Sequence, residues 1–259
     1  MIEVENLTFA YTGQASIFED FNLHVGRGET WAVIGPSGCG KSTLLYLLAG
    51  LKRPLAGKIV IAGEEIVRPR PETGLILQDH GLLPWATVIE NARLGQRIRD
   101  FYGPDGKHAP KDNKRKKEID SSQVTYWLKR LGIIDLSEKY PSQLSRGERQ
   151  RTAIARTLSL EPDILLMDEP FSALDEPTRE DLRDIIKQCQ WETNLTNILV
   201  THDIEEAIFV GKKILVLRDG VNREPWIIEN NLAGQDDESN RENFALLREK
   251  LKAYLGDMP

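Results

Sequence analysis

Residues 35–43 read Gly35-Pro36-Ser37-Gly38-Cys39-Gly40-Lys41-Ser42-Thr43, with glycines spaced through a short turn that ends in a lysine and two hydroxyls. Glycines at this spacing let backbone N–H groups turn inward around phosphate oxygens, and a helix starting at the lysine adds its partial positive charge. The pattern is that of the phosphate-binding P-loop, in which Lys41 would bridge the β- and γ-phosphates of a nucleotide and Ser42 would place its hydroxyl on Mg²⁺. A second element complements it. The apolar run Ile164-Leu165-Leu166-Met167 ends in Asp168-Glu169-Pro170, two adjacent carboxylates that the period of a strand sends to different sides. Asp168 would serve Mg²⁺ and Glu169 would polarise an attacking water as general base.

Positioning such groups takes a strand before the loop and a helix after it. Trp31-Ala32-Val33-Ile34 is a short buried strand, and residues 41–49 form a helix that Gly50 can end in a left-handed conformation. Residues 2–11 and 21–25 alternate apolar and polar, as antiparallel strands do. Further buried strands are expected at 58–61, 75–77, 164–167, 198–201 and 214–217, with helical patterns between the later ones. This predicts an α/β fold with parallel strands and crossover helices. Residues 87–160 show no strand pattern and several helical ones, so the expected organisation is an ATPase core over 1–86 and 161–230, an inserted helical subdomain over 87–160, and a C-terminal helical segment over 231–259. In that last segment Phe244, Leu247, Leu251 and Tyr254 share a stripe that packs back on the chain, after Asp236, Asp237 and Glu238. Inside the helical block, a basic stretch over 103–117 reads as a solvated loop.

Composition bounds the functional classes. The 259 residues carry 34 Lys+Arg against 40 Asp+Glu, a formal net charge of −6, and 40% hydrophobic residues. An acidic, evenly mixed balance disfavours a nucleic-acid partner. The longest apolar stretch, residues 44–51, is far short of the ~18 needed for a membrane span, so no crossing of a bilayer is expected. Cys39 and Cys189 have no paired spacing, and His24, His80 and His108 have no metal-ligand spacing, so neither disulfides nor zinc are expected. Cys189 shares an apolar helical face with Leu182, Ile185 and Ile186. The first residues lack a secretory signal, and a reducing cytosolic compartment is expected.

Leu144-Ser145-Arg146-Gly147-Glu148, between the helical block and the acidic strand, resembles the signature motif of ATP-binding cassette (ABC) transporter ATPases. Other family elements follow in the family's order over about residues 2–220. Tyr11 resembles the aromatic that stacks on adenine, Gln78 the Q-loop glutamine, Ser172-Ala173-Leu174-Asp175 the D-loop, and His202 the switch histidine on the γ-phosphate. The resemblance implies catalytic roles for Glu169, His202 and Gln78. It implies nucleotide contacts at Tyr11, at Gly35 and Ser37 through Thr43, and at Ser145, Gly147 and Asp175, with Mg²⁺ on Ser42, Gln78 and Asp168. It also implies a homodimer in which the signature of one copy meets the ATP on the P-loop of the other. Physically, Ser145 and Glu148 are spaced as a capping box whose helix N-terminus can face an anion, and Asp203 to Glu206 repeats that spacing. Arg146 departs from the family, which has glycine there.

The stretch Asp79-His80-Gly81-Leu82-Leu83-Pro84-Trp85 with Thr87-Val88-Ile89-Glu90-Asn91, and the run from Val200 to Ala207, resemble importer ATPases of the nitrate/sulfonate/taurine group. That implies a separate membrane permease docking after the Q-loop, an external solute-binding protein acting through it, and a location on the cytoplasmic membrane face. The alternative is a soluble, non-transport regulatory ATPase of the same type. Such proteins usually carry two cassettes or a long coiled-coil insertion, which this sequence lacks.

Overall fold

The structure is a computed structural model and describes residues 1–102, 122–172, 174–235 and 240–256. The basic stretch 103–117, Ala173 of the D-loop and the acidic run Asp236, Asp237 and Glu238 lie outside the described residues. In chain order the elements are β1 (Ile2–Ala10), β2 (Ser16–Val25), β3 (Thr30–Ile34), α1 (Lys41–Leu48), β4 (Ala56–Ile61), β5 (Glu64–Glu65), β6 (Thr73–Ile76), α2 (Val88–Tyr102) and α3 (Ser122–Arg130). They continue with α4 (Arg146–Leu158), β7 (Ile164–Asp168), α5 (Glu176–Thr193), β8 (Thr196–Val200), α6 (Ile204–Val210), β9 (Lys213–Val216), β10 (Trp226–Glu229) and α7 (Arg241–Gly256). The chain divides into two compact units.

The first unit comprises Met1–Pro69, Leu166–Glu169 and Lys187–Pro259. Its antiparallel sheet orders β2-β1-β4-β5. Alternation along β1 and β2 buries Ile2, Val4, Leu7, Phe18, Phe21 and Leu23 on one side, as a half-buried sheet requires. Its other strands order β10-β9-β3-β8, with β3 parallel to both β8 and β9. Every residue of β3, β7 and β8 is buried. Side chains on both faces of these strands are thus out of water, which is why their sequences are runs rather than alternations.

The C-terminal strand pair and helix complete this unit. β10, which the sequence did not announce, pairs antiparallel with β9. Its Trp226 meets Tyr254 of α7 with ring centroids 4.0 Å apart. Phe244, Leu247, Tyr254 and the fully buried Leu251 pack α7 on a cluster of Ala32, Ile34, Ile208, Ile214 and Val216. The stripe expected on this segment does pack on its own chain.

The second unit comprises Arg70–Leu165 and Pro170–Ile186. Within it β6 lies beside the start of β7, and Asp163 N donates to Glu72 O at 3.0 Å. Helices α2, α3 and α4 pack together, and their Val88, Ala92, Val124, Leu128, Ile154 and Leu158 are nearly or fully buried. Most expected strands lie within two residues of the sequence reading, whereas β2 begins at Ser16, five residues before the expected 21–25. β6 and β8 begin earlier, because Thr73, Thr196 and Asn197 satisfy the ladder although they are polar.

Candidate functional site

In the first unit the phosphate loop is built as its residue types require. Helix α1 opens on Gly40, which has φ 106° and provides no side-chain cap, so the first-turn N–H groups are not taken by the chain's own cap. A Cβ at Gly40 would meet Ile17 Cγ2 at 2.4 Å, and one at Gly35 would meet Leu217 O at 2.5 Å. These glycines are therefore demanded by close approach as well as by the turn. Lys41 is buried, and its Nζ donates to Gly35 O at 2.8 Å and Pro36 O at 2.9 Å. The ammonium is thus held across the loop by two backbone carbonyls. Cys39 is buried in the same loop, and burial pushes its thiol up from the ordinary value. It stays protonated and acts as a small apolar filler.

The acidic element stands against this loop in the same unit. Ser42 Oγ donates to Asp168 Oδ1 at 3.0 Å, and Tyr46 Oη donates to Asp168 Oδ2 at 3.4 Å. Burial raises the Asp168 pKa, opposed by the Ser42 hydrogen bond. A desolvated carboxylate beside a hydroxyl is an all-oxygen donor pair of the kind hard divalent cations take.

Glu169 does not continue the strand. Its φ of 47° is left-handed, rare for a residue with a Cβ, so a backbone break and not strand alternation separates the two carboxylates. Such strain is characteristic of a residue held for a task. Glu169 N is fixed by Val200 O at 2.9 Å, and His202 Nδ1 lies 3.1 Å from Glu169 Oε1. His202 follows β8, and the turn beyond it is set by Asp203, which caps α6 by accepting from Glu205 N and Glu206 N. The expected Asp203 cap is present, whereas the buried Glu206 carboxylate accepts from Thr201 Oγ1 at 2.6 Å.

Tyr11 is also in this unit. Its hydroxyl is 3.1 Å from Thr43 Oγ1, its edge meets Phe9 in a T-shaped contact, and Lys52 Nζ lies 4.6 Å from the ring centroid.

The second unit holds the remaining sequence candidates. Gln78 is exposed in the turn closed by His80 N donating to Leu77 O at 3.0 Å. Ser145 caps α4 in a complete capping box: Glu148 N donates to Ser145 Oγ at 3.2 Å, and Ser145 N donates to Glu148 Oε2 at 2.7 Å. Arg146 is the first helical residue and is exposed. A Cβ on Gly147 would meet Thr178 Cγ2 at 2.9 Å, so this glycine is a packing requirement too. Asp175 accepts from Thr178 N and Thr178 Oγ1 at the start of α5, and the side-chain bond from Thr178 holds its carboxyl below the usual range.

Three positioning residues escaped the sequence reading. Asn222, nearly buried, donates to Cys39 O at 3.2 Å and accepts from Arg218 N at 2.8 Å, bracing the phosphate loop from behind. In the second unit Asn91, fully buried, donates to the carbonyls of Leu83, Ala86 and Thr87 and accepts from Leu83 N, holding the segment that carries Trp85, itself 73% exposed. Arg156 of α4 donates to His80 O at 2.7 Å and Gly81 O at 2.6 Å. For Asn222 and Arg156 no local pattern marks the role, because the Cys39, His80 and Gly81 carbonyls they reach are remote in sequence.

Residues 18–172 match the family described as ABC transporter. The chain is 36% identical over 249 residues to the aliphatic sulfonates import ATP-binding protein of Bacillus anthracis, covering 96% of this chain and 92% of that protein. It is 37% identical over 224 residues to the taurine import ATP-binding protein of Shigella dysenteriae, covering 86% and 82%. The nitrate import ATP-binding protein of Synechocystis is 34% identical over 254 residues, covering 96% and 89%. Among solved structures, the ATP-binding cassette MJ0796, in a dimeric post-hydrolysis state bound to ADP and Pi, superposes with a TM-score of 0.73 at 28% identity over 88% of this chain and 98% of that one.

Proposed function

The chain belongs to the ABC transporter family, and from that premise we propose that it hydrolyses ATP as a pair of copies to drive a separate permease that imports a small oxyanion or sulfonated solute. The observation that carries the chemistry is the contiguity of loop, cation donors and base in one unit. Ser42 meets Asp168 at 3.0 Å, and the next residue, Glu169, meets His202 at 3.1 Å.

Each group then has a task. Lys41 exchanges the carbonyls of Gly35 and Pro36 for β- and γ-phosphate oxygens, and the N–H groups of Ser37, Gly38, Cys39, Gly40 and Thr43 complete the cradle. Tyr11 stacks the adenine on the face away from Lys52. Ser42 and Asp168 would hold Mg²⁺, which would supply charge neutralisation on the phosphates, and Gln78 keeps the metal role that the family resemblance gives it. Glu169 accepts a proton from the attacking water. His202, 3.1 Å from Glu169 through Nδ1, orients that carboxylate and contacts the γ-phosphate. Ser145 and Gly147, at the N-terminus of α4, and Asp175 contact the ATP held by a second copy. The segment around Trp85 receives the permease on the cytoplasmic membrane face, and a solute-binding protein outside delivers the cargo. Among the described residues no helix is long and apolar enough to cross a membrane, consistent with a permease on another chain.

The test separates binding from chemistry. Glu169→Gln keeps shape and nucleotide contacts but removes the base, so phosphate release should fall by about 10²–10⁴. Sedimentation of that variant with ATP and Mg²⁺ should show a stable dimer. A monomer at ATP concentrations well above its affinity would overturn the paired arrangement.

A further inference from the structure

In the second unit the turn that carries Gln78 and the helix that presents Ser145 are fastened to each other by one side chain. Arg156 lies in the last turn of α4. Its two terminal nitrogens donate to adjacent carbonyls, Nη1 to Gly81 O at 2.6 Å and Nη2 to His80 O at 2.7 Å. Both residues of this turn are left-handed, with φ 66° at His80 and 56° at Gly81. That conformation is unfavourable for a histidine, and it presents two successive carbonyls to the planar guanidinium fork. The turn begins where His80 N donates to Leu77 O, so Gln78 sits inside the loop that Arg156 anchors. Burial strips water from Arg156, which strengthens each of its bonds.

We infer that Arg156 is a positioning residue that makes the Gln78 turn and the signature helix one mechanical piece, so that displacement of either moves the other. The intervening helix from Ser145 to Arg156 spans about 16 Å at 1.5 Å per residue and is stiff on that scale. On the permease side, the turn continues directly into the 82–87 segment that Asn91 holds rigid. A push at Trp85 therefore has a continuous hydrogen-bonded route to the capping box at Ser145, all inside one unit. A lysine at 156 keeps the charge and loses the fork, so it can hold one carbonyl at a time and the two ends decouple.

This inference rests on the ATPase reading, and the wild-type rate of phosphate release tests that reading separately. The experiment is amide hydrogen exchange by mass spectrometry on wild type and Arg156→Lys, with and without a non-hydrolysable ATP analogue, following peptides over 77–86 and 144–150. In wild type the analogue should slow exchange in both peptides together. In Arg156→Lys it should slow only 144–150. The variant's affinity for a fluorescent ATP analogue should stay within about twofold of wild type while kcat falls about tenfold, the signature of a defect in the transition-state assembly. Protection of only one peptide in wild type overturns the inference without any variant. So do wild-type coupling and kcat in Arg156→Lys, or faster exchange throughout the variant before nucleotide is added, which would make Arg156 a stability residue only.

Discussion

The two units handle their polar groups in opposite ways. In the first, the candidate site is closed on itself: Lys41 is buried against Gly35 and Pro36 carbonyls, Asp168 against Ser42, and Glu169 against His202. In the second, Ser145 and Arg146 stand open to solvent on an exposed helix start closed by the capping box between Ser145 and Glu148, and the exposed Asp175 is held by Thr178. Buried charges must find partners within their own fold, whereas an exposed helix N-terminus can leave its orphan N–H groups to water. The phosphate loop, its lysine and the two carboxylates are therefore preorganised inside the first unit. The exposed groups of the second are suited to a ligand presented by another surface, which is what a dimeric cassette supplies.

Breaking the first unit should give the largest effect. Lys41→Ala removes a preorganised cation, so ATP binding, measured by titration, should weaken and phosphate release should fall at least about a hundredfold. Unchanged turnover would show that the buried pairing of Lys41 is structural. Breaking the second unit should leave ATP binding by a single copy intact. Ser145→Ala should cost about 1 kcal/mol of helix stability as a lost cap, and should lower turnover about tenfold with the titrated affinity for ATP unchanged. A fall in ATP affinity for the isolated copy would contradict the division of labour.

A subtler contrast lies in the stability of the ligand-free protein. Burial raises the Asp168 pKa, so the native state holds its proton to higher pH than the unfolded chain does. Ionisation of Asp168 thus opposes folding, and its stabilising contribution falls as pH rises from the ordinary carboxylate value through the raised one. Asp168→Asn should therefore raise the Tm of the ligand-free protein at neutral pH by a few degrees, about what 1 kcal/mol gives in a chain of this size, while abolishing Mg²⁺-dependent turnover. A lower Tm would mean that the Ser42 and Tyr46 hydrogen bonds outweigh the burial cost. No such gain is expected in the second unit, where the Asp175 carboxyl is held below its usual range by Thr178.

The smallest effect belongs to Arg146. An exposed charge at a helix end is worth about 0.3–1 kcal/mol, so Arg146→Gly should stay within about tenfold of wild-type turnover, with a salt-sensitive difference. Arg146→Glu should be clearly slower. Complete loss in the glycine variant would make Arg146 essential, and full activity of the glutamate variant would place its side chain away from nucleotide.

What the sequence determined by itself was whatever depends on neighbours within a few residues. The glycine spacing of 35–40, the apolar runs of β3 and β7, the Ser145–Glu148 box and the stripe on α7 are local, because turn geometry, strand burial and helix periodicity are written at fixed short offsets. Only the tertiary structure decided the left-handed break at Glu169, the pairing of β10 with β9, and the bracing of the phosphate loop by Asn222. Only it also showed Arg156 reaching 75 residues back to Gly81. The bonds of Asn222 and Arg156 join side chains to backbone groups far along the chain, and a carbonyl is the same acceptor at every residue, so nothing in the residue types could say which one would be met.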